Sequence, residues 1–171
     1  MDKETQRMKN LVADLLSLSL AEVKQKQRIS GSLNVTLMAE EAVAATQKFA
    51  KKNNKRLKLQ VKSVIPELTG DNENIRQVFI NLLENSVNYS HTDSIINIEL
   101  EQFDNATDFP KPCVKIRIRD KSDGIPEHEL HRLTERFYRV DKSRSRNVGG
   151  TGLGLAIVKH ILLRHGGDII I

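Results

Sequence analysis

The sequence predicts an α/β sandwich: a mixed sheet with helices on one face. Two observations carry this. Stretches from Thr36 to about Lys52 and from Asp71 to about Tyr89 repeat apolar residues at helical spacing. Between and after them, Leu57, Leu59 and Val61, then Ile96, Ile98 and Leu100, then Val114, Ile116 and Ile118 alternate with polar residues, as half-buried strands do. A helix followed by interleaved strands and helices is the order of a layered α/β domain. At 171 residues, 39% hydrophobic and 29% charged, the chain has the material for one globular domain with its own core.

Taken in order, Met8, Leu11, Leu15 and Leu18 form a 3-4-3 seam, widened by Val12 and Leu16. The seam lasts about two heptads before Glu22. It predicts an amphipathic helix, either docked on its own domain or part of a helical dimerisation bundle. Residues 24–34 lose the periodicity and contain Gly31, so they read as a linker. The helix opened by Thr36 has Ala39, Val43, Thr46 and Phe49 on one side and ends at Asn53-Asn54. Thr69-Gly70-Asp71 is a turn and N-cap for the next helix. A polar loop with Asp108, Pro110 and Pro112 joins the second and third strands. A turn (Asp120 to Pro126), a short helix, a basic loop, a Gly-rich turn and a helix from about Gly152 to Arg164 follow. A strand is expected to begin at Asp168 with its pairing partner missing, and the consecutive Ile169, Ile170 and Ile171 imply burial on both faces.

Composition narrows the function. Lys plus Arg is 27 against 22 Asp plus Glu, a formal +5 that suits an anionic partner without naming one. Aromatics are 4% and Trp is absent, so platforms for stacking bases are scarce and no nucleic-acid partner is expected. Cys113 is alone, which excludes a disulfide within the chain and a Cys-rich zinc site and suits a reducing compartment. The apolar stretch Leu153 to Leu163 is broken by Lys159 and His160 and is too short to span a bilayer. The N-terminus lacks the apolar core of a signal peptide. The expectation is a soluble, cytoplasmic chain.

Four segments carry chemistry. The Asp71–Tyr89 helix has a core face of Ile75, Phe79, Leu82 and Ser86, with Val78 and Leu83 beside it. Its opposite stripe is Asn74, Gln77, Asn81, Asn85 and Asn88. Asn is a poor helix former, so a merely solvated face would use Lys and Glu instead. Amide oxygens can bind Mg²⁺ while the NH₂ groups donate to phosphate. Asp120-Lys-Ser122-Asp-Gly124-Ile125-Pro126 sets a carboxylate at a strand end beside a tight turn, where it can accept from an exocyclic amine; an ordinary Asx-turn has the same residues. Glu135 to Arg146 is dense in cations around Phe137 and Tyr138 and suits phosphate recognition, a nucleic-acid patch or a solvated loop. Gly149-Gly150-Thr151-Gly152-Leu153-Gly154-Leu155-Ala156 opens a helix. Gly lets backbone amides approach phosphate, and the helix N-terminus adds positive potential. It lacks the Gly-Lys-Ser/Thr of a Walker loop and the spacing of a dinucleotide fingerprint.

In this order the four segments resemble the N, G1, F and G2 boxes of the sensor histidine kinase ATP-binding domain, over roughly Ser32 to Ile171. Gln6 to Ser19 looks like the second helix of that family's dimerisation and phosphoacceptor hairpin, and Leu133 to Arg146 with Gly149 to His165 is similar to sensor kinases of the phosphate regulon. The resemblance implies a Bergerat fold, a remnant of the dimerisation helix over residues 1–30 and an ATP-binding catalytic domain over 31–171. It implies ATP and Mg²⁺ as cofactors, with Asn85 as metal ligand and Asn81 beside it. Tyr89 would line the adenine, Asp120 would bind its amino group, and Gly124 would let the base approach, next to Ile125. Arg139 would reach the γ-phosphate, acting with Asn85 in catalysis, while Phe137 anchors the lid loop. Gly150, Gly152 and Gly154 would form the hinge and phosphate-facing turn, together with Thr151, Leu153 and Leu155; Asn88 completes the nucleotide-facing stripe. The partners implied are a phosphoacceptor His hairpin, a response regulator and, in the full-length kinase, a second copy of the chain; such kinases are usually anchored in the inner membrane.

Four features depart from the family pattern. Asn88 stands where Lys is frequent, and Ser122 stands at the first Gly of the G1 box. His91, His128, His131, His160 and His165 all lack a phosphoacceptor context. The family's last sheet hairpin would continue past Ile171, so a fragment or a truncated product is expected. Two rivals stand beside the kinase reading. One is an ATPase of the gyrase, chaperone or mismatch-repair kind, against which the Phe-Tyr-Arg loop and the Leu-Ser-Leu-Ser helix speak. The other is a module that binds ATP, a kinase or a regulator without catalysis.

Overall fold

The computed structural model describes residues 31–103, 112–140 and 150–171, with residues 5, 8–9, 11–13, 15–16 and 29. The elements are β1 (Ser32–Leu33), α1 (Val35–Lys52), β2 (Arg56–Val61), β3 (Leu68–Thr69), α2 (Asn72–Tyr89), β4 (Ile95–Gln102), β5 (Val114–Arg119), α3 (Glu127–Leu130) and α4 (Gly154–Arg164).

β2, β4 and β5 form a mixed sheet in that order. β2 runs parallel to β4, with Leu57 opposite Ile96 and Leu59 opposite Ile98. A parallel pair needs a long crossover, and the connection containing α2 supplies it. β5 is antiparallel to β4, with Ile98 opposite Ile118 and Leu100 opposite Ile116. The alternation read in the sequence is the pleat itself. Ile96, Ile98 and Leu100 are fully buried under the helices. The other face of the sheet is charged: Glu99 pairs with Lys62 at 2.8 Å and Arg117 at 3.1 Å, and these two cations hold its carboxyl below the ordinary value.

α1 begins one residue earlier than expected because Asn34 is its cap, its side chain accepting from the Leu37 amide at 2.9 Å. Lys51 and Lys52 suit its carboxyl end, and Asn54 leaves the helix at φ 55°. Its core stripe is Val35, Met38, Ala39, Ala42, Thr46 and Ala50, with Val43 and Phe49 at the margin. α2 starts where expected. The Asp71 carboxylate caps the Asn74 amide at 3.1 Å and accepts from its side chain at 2.9 Å. Its buried face is Ile75, Val78, Phe79, Leu83, Ser86 and Val87, rotated slightly away from Leu82.

Several expectations need correction. The linker read over 24–34 ends in β1, which pairs antiparallel with β3 (Ser32 opposite Thr69, Leu33 opposite Leu68). Two-residue strands are too short to show an alternation. α4 begins at Gly154 rather than Gly152, because Gly152 sits at φ 75°, outside the helical region. Residues 168–171 form no ladder in the structure. Ile169 packs on the core, but Ile170 is 92% exposed, so the run is not buried on both faces. Consecutive apolar residues are buried on both faces only where layers lie on either side. The described residues between 5 and 16 are helical, and Met8, Val12 and Leu16 are exposed. Among the described residues no helix is long and apolar enough to cross a membrane.

β1 is seated against the amino end of α2. The Gly70 amide donates to the Gly31 carbonyl at 2.8 Å, and Asn72 donates to the Ser32 carbonyl at 2.9 Å. A Cβ on Gly70 would lie 3.0 Å from the Leu33 Cβ and 3.2 Å from the His165 ring. Gly70→Ala should therefore lower unfolding stability by about 1–3 kcal/mol through overpacking. Urea denaturation measures this; an unchanged midpoint would mean that Leu33 and His165 yield freely.

Candidate functional site

α2 and α4 lie side by side and run antiparallel: Asn81 meets Gly154, and Asp71 meets His165. This pairing turns the Asn stripe toward the Gly-rich turn. The Asn81 amide donates to the Gly154 carbonyl at 3.4 Å. A Cβ on Gly154 would stand 3.9 Å from the Asn85 amide nitrogen and 4.0 Å from the Asn81 side chain. Asn81 and Asn85 are half-buried there, as is Asn88 toward the carboxyl end of α2. Tyr89, the last residue of α2, is exposed.

The second border is the segment after α3. Phe137 takes φ 63°, unusual for a side chain without a short polar group, and its amide donates to the Gly152 carbonyl at 2.9 Å. A Cβ on Gly152 would lie 3.0 Å from the Phe137 backbone. Two left-handed residues therefore interlock, and only glycine fits at one of them. The Arg139 guanidinium donates to the Gly150 carbonyl. The Phe137 side chain is exposed, while Arg132 lies over the Tyr138 ring at 4.0 Å.

The third border is the turn after β5. Asp120 is exposed, Gly124 sits at φ 77° and Ile125 is exposed. The turn is tied to the end of α2 by the His91 amide, which donates to the Lys121 carbonyl at 2.7 Å, and His91 lies 3.5 Å from Asp123.

The predicted residues thus fall into three groups around α2. Asn81 meets Gly154 directly, with Asn85 close by; Phe137 and Arg139 dock on Gly152 and Gly150; Tyr89, Asp120, Gly124 and Ile125 lie toward the carboxyl end of α2. Thr151 accepts from the Leu153 amide at 3.3 Å. The Leu153 side chain is fully buried in the core, so Leu153 can face a ligand only through its backbone; Leu155 is half-buried. Lys142, Arg144, Arg146 and Gly149 lie outside the described residues. Sequence reasoning missed Arg132, whose i+6 relation to Tyr138 across a turn has no periodic signature. It also missed His165 and Lys55, two side chains that hold the ends of α2.

Chemically the patch offers neutral amides, backbone amides at a helix start and a guanidinium, a donor set for phosphate oxygens. Among the described residues no His, Cys, Asp and Glu cluster could hold a metal ion by itself.

Comparison with known proteins points the same way. Residues 70–171 match the family described as histidine kinase-, DNA gyrase B- and HSP90-like ATPase. The chain is 34% identical over 167 residues to the sensor protein kinase WalK of Staphylococcus saprophyticus, covering 98% of this chain and 26% of that protein. It is 34% identical over 165 residues to the phosphate regulon sensor protein PhoR of Pseudomonas aeruginosa, covering 96% of this chain and 35% of that one. It thus spans about a quarter to a third of the length of these relatives. A mycobacterial sensor histidine kinase, MprB, superposes with a TM-score of 0.66 at 25% identity over 81% of each chain.

The glycines separate structural from ligand demands. Gly152→Ala should cost about 1–3 kcal/mol, because it must strain a positive φ or push back Phe137. Gly154→Ala should stay within about 0.5 kcal/mol, since its Cβ makes ordinary contacts. Chemical denaturation of both variants checks this; equal losses would contradict the packing described.

Proposed function

The chain belongs to the histidine kinase-, DNA gyrase B- and HSP90-like ATPase family, as an ATP-binding domain of the two-component sensor histidine kinase type, and from that premise we propose that it positions Mg-ATP for transfer of the γ-phosphoryl group to a histidine of a dimerisation hairpin. The observation that supports this most is the contact of Asn81 and Asn85 with Gly154, which sets amide side chains opposite the start of a helix.

The nucleotide would lie along α2. Its phosphates would face the turn from Gly150 to Leu155, whose amides and helix start favour anions. Its base would reach toward Tyr89, Asp120, Gly124 and Ile125, where the exposed Asp120 carboxylate can accept from an exocyclic amine. Asn88 adds a neutral amide to the same stripe. Mg²⁺ fits this donor set: Asn85 offers a neutral oxygen ligand in a half-buried position, and Mg²⁺ is usually held by few protein groups plus phosphates and waters. When bound, it would neutralise charge on the phosphates. Arg139 would exchange the Gly150 carbonyl for a phosphate oxygen and stabilise charge developing on the transferred group, with Phe137 fixing its segment on Gly152. Such transfer asks little covalent chemistry of the protein, so placement and charge carry the rate.

The acceptor histidine would come from a dimerisation hairpin, to whose second helix residues 1–30 belong in this reading, and the phosphoryl group would pass on to an aspartate of a response regulator. The full-length kinase would act as a homodimer at the membrane. Phosphate sensing rests on likeness to PhoR alone, and WalK matches at the same 34%.

Asn85→Ala should abolish Mg-dependent ATP binding while keeping the helix, since Ala is the better helix former. Calorimetry with and without Mg²⁺ decides; unchanged affinity would remove Asn85 from the site. Arg139→Ala should slow phosphoryl transfer to an added hairpin by roughly 10²–10³, with a smaller loss of ATP affinity. Equal losses in transfer and binding would give Arg139 a ground-state role only.

A further inference from the structure

α2 carries the Asn stripe, and it is held at both ends by side chains from other elements. At its amino end the Asp71 N–H donates to Nε2 of His165 at 3.0 Å. The other ring nitrogen, Nδ1, lies 2.8 Å from the Ile161 carbonyl. A backbone N–H can only donate, so Nε2 accepts and Nδ1 carries the proton: the ring is neutral. It packs on Gly70, where a Cβ would come within 3.2 Å. At the carboxyl end of α2, the buried Lys55 ammonium donates to the Val87 carbonyl at 2.6 Å. Each group has the polarity its end of the helix asks for.

The lengths match. Asp71 to Asn81 is a step of ten residues and Gly154 to His165 a step of eleven, spans of about 15 and 16.5 Å at 1.5 Å per residue. α4 therefore touches α2 at both of its own ends, through Gly154 on Asn81 and His165 on Asp71. Two end contacts between antiparallel helices fix their register as well as their distance. If the His165 contact is lost, side-chain packing and the long Asn81–Gly154 hydrogen bond at 3.4 Å are left to keep Gly154 opposite Asn81 and Asn85.

We propose that His165 is a positioning residue for the nucleotide site: its neutral imidazole locks the register of α4 against α2, with Lys55 anchoring the far end of α2. This rests on the nucleotide reading given above. Protonated His165 would turn a second N–H toward the Asp71 N–H and break the lock. The charged groups that act on the ring are Asp71, whose carboxylate is engaged by Asn74, and Arg164 on its own helix; β1 and the turn before α2 offer Leu33 and Gly70. Burial lowers the pKa of His165 below its ordinary value, against the opposing pull of the Ile161 carbonyl and Asp71. The neutral form is thus the one the lock selects. The register is held in full above about pH 6.5, the ordinary imidazole value, and is lost as pH falls through the lowered pKa of the folded chain.

The test compares the chain with His165→Gln, which can keep the acceptor but does not titrate, with His165→Leu, which removes it, and with Lys55→Met. First, amide resonances are followed without nucleotide from about pH 7.5 downward until the His165 ring has titrated. The side-chain amides of Asn81 and Asn85 and the Gly154 amide should move with the His165 ring in the wild type and stay still in His165→Gln. Second, Mg-ATP affinity is measured at both ends of the range. Relative to His165→Gln, which shares every other titration including that of ATP, wild-type affinity should fall roughly fivefold at the acid end. His165→Leu should bind weakly at both pH values, and Lys55→Met should weaken binding without altering the pH profile. Silent Asn81, Asn85 and Gly154 resonances while the ring titrates, or parallel affinities of wild type and His165→Gln, would overturn the proposal. Resonances that move as expected in a chain that never binds Mg-ATP would uphold the lock and overturn the nucleotide reading instead.

Discussion

The antiparallel contact of α2 with α4 is the constraint on which the rest of this structure depends. Each helix has another reason to be where it is: α2 buries Phe79, Leu83 and Val87 over the sheet, and α4 buries Ile157, Val158 and Ile161. Burial of that kind is not directional, so it fixes how close the helices lie better than it fixes their register. Polar contacts at the two ends supply the register. The chain can then place two Asn side chains, Asn81 and Asn85, which are poor helix formers, beside a glycine turn that would otherwise be a plain connector.

The remaining borders of the site hang on the same frame. Gly152 must be left-handed for α4 to begin at Gly154, and the Phe137 backbone fills the space a side chain there would need. That couples the segment carrying Arg139 to the start of α4. The turn after β5 is coupled to the other end of α2 through His91 and Lys121. The groups proposed to face phosphate and base are thus borne by different elements but referred to one helix, as suits chemistry that depends on placement.

Much of this was legible in the sequence where a strong local signal coincided with a period. Asp71 is a cap followed by helical spacing, and Ile96, Ile98 and Leu100 alternate as the core demands; both appear as read. The Asn stripe was visible because its composition contradicts helix propensity. Where the signal is not periodic the reading failed. β1 and β3 exist through pairing between residues far apart in the chain. The start of α4 moved because a left-handed glycine is decided by its neighbour Phe137. Ile169 to Ile171 promised a strand on composition alone, yet Ile170 faces solvent. As for the site, the residues suggested phosphate chemistry, whereas their grouping came from family resemblance. His165 and Lys55 carry no motif; their roles follow from what stands opposite them in space.

The central claim is that one nucleotide lies along α2 with its phosphates between the Asn stripe and the Gly-rich turn. Paramagnetic relaxation by Mn²⁺ in place of Mg²⁺ tests it directly, because broadening falls steeply with distance from the metal. In the presence of ATP, the account predicts that broadening centres on the Asn85 side-chain amide and includes Asn81 and the amides from Gly152 to Leu155. It predicts that Lys58 and Lys115, on the outer face of the sheet, remain sharp. Broadening centred on that outer face, or spread evenly over the surface with and without ATP, would contradict it.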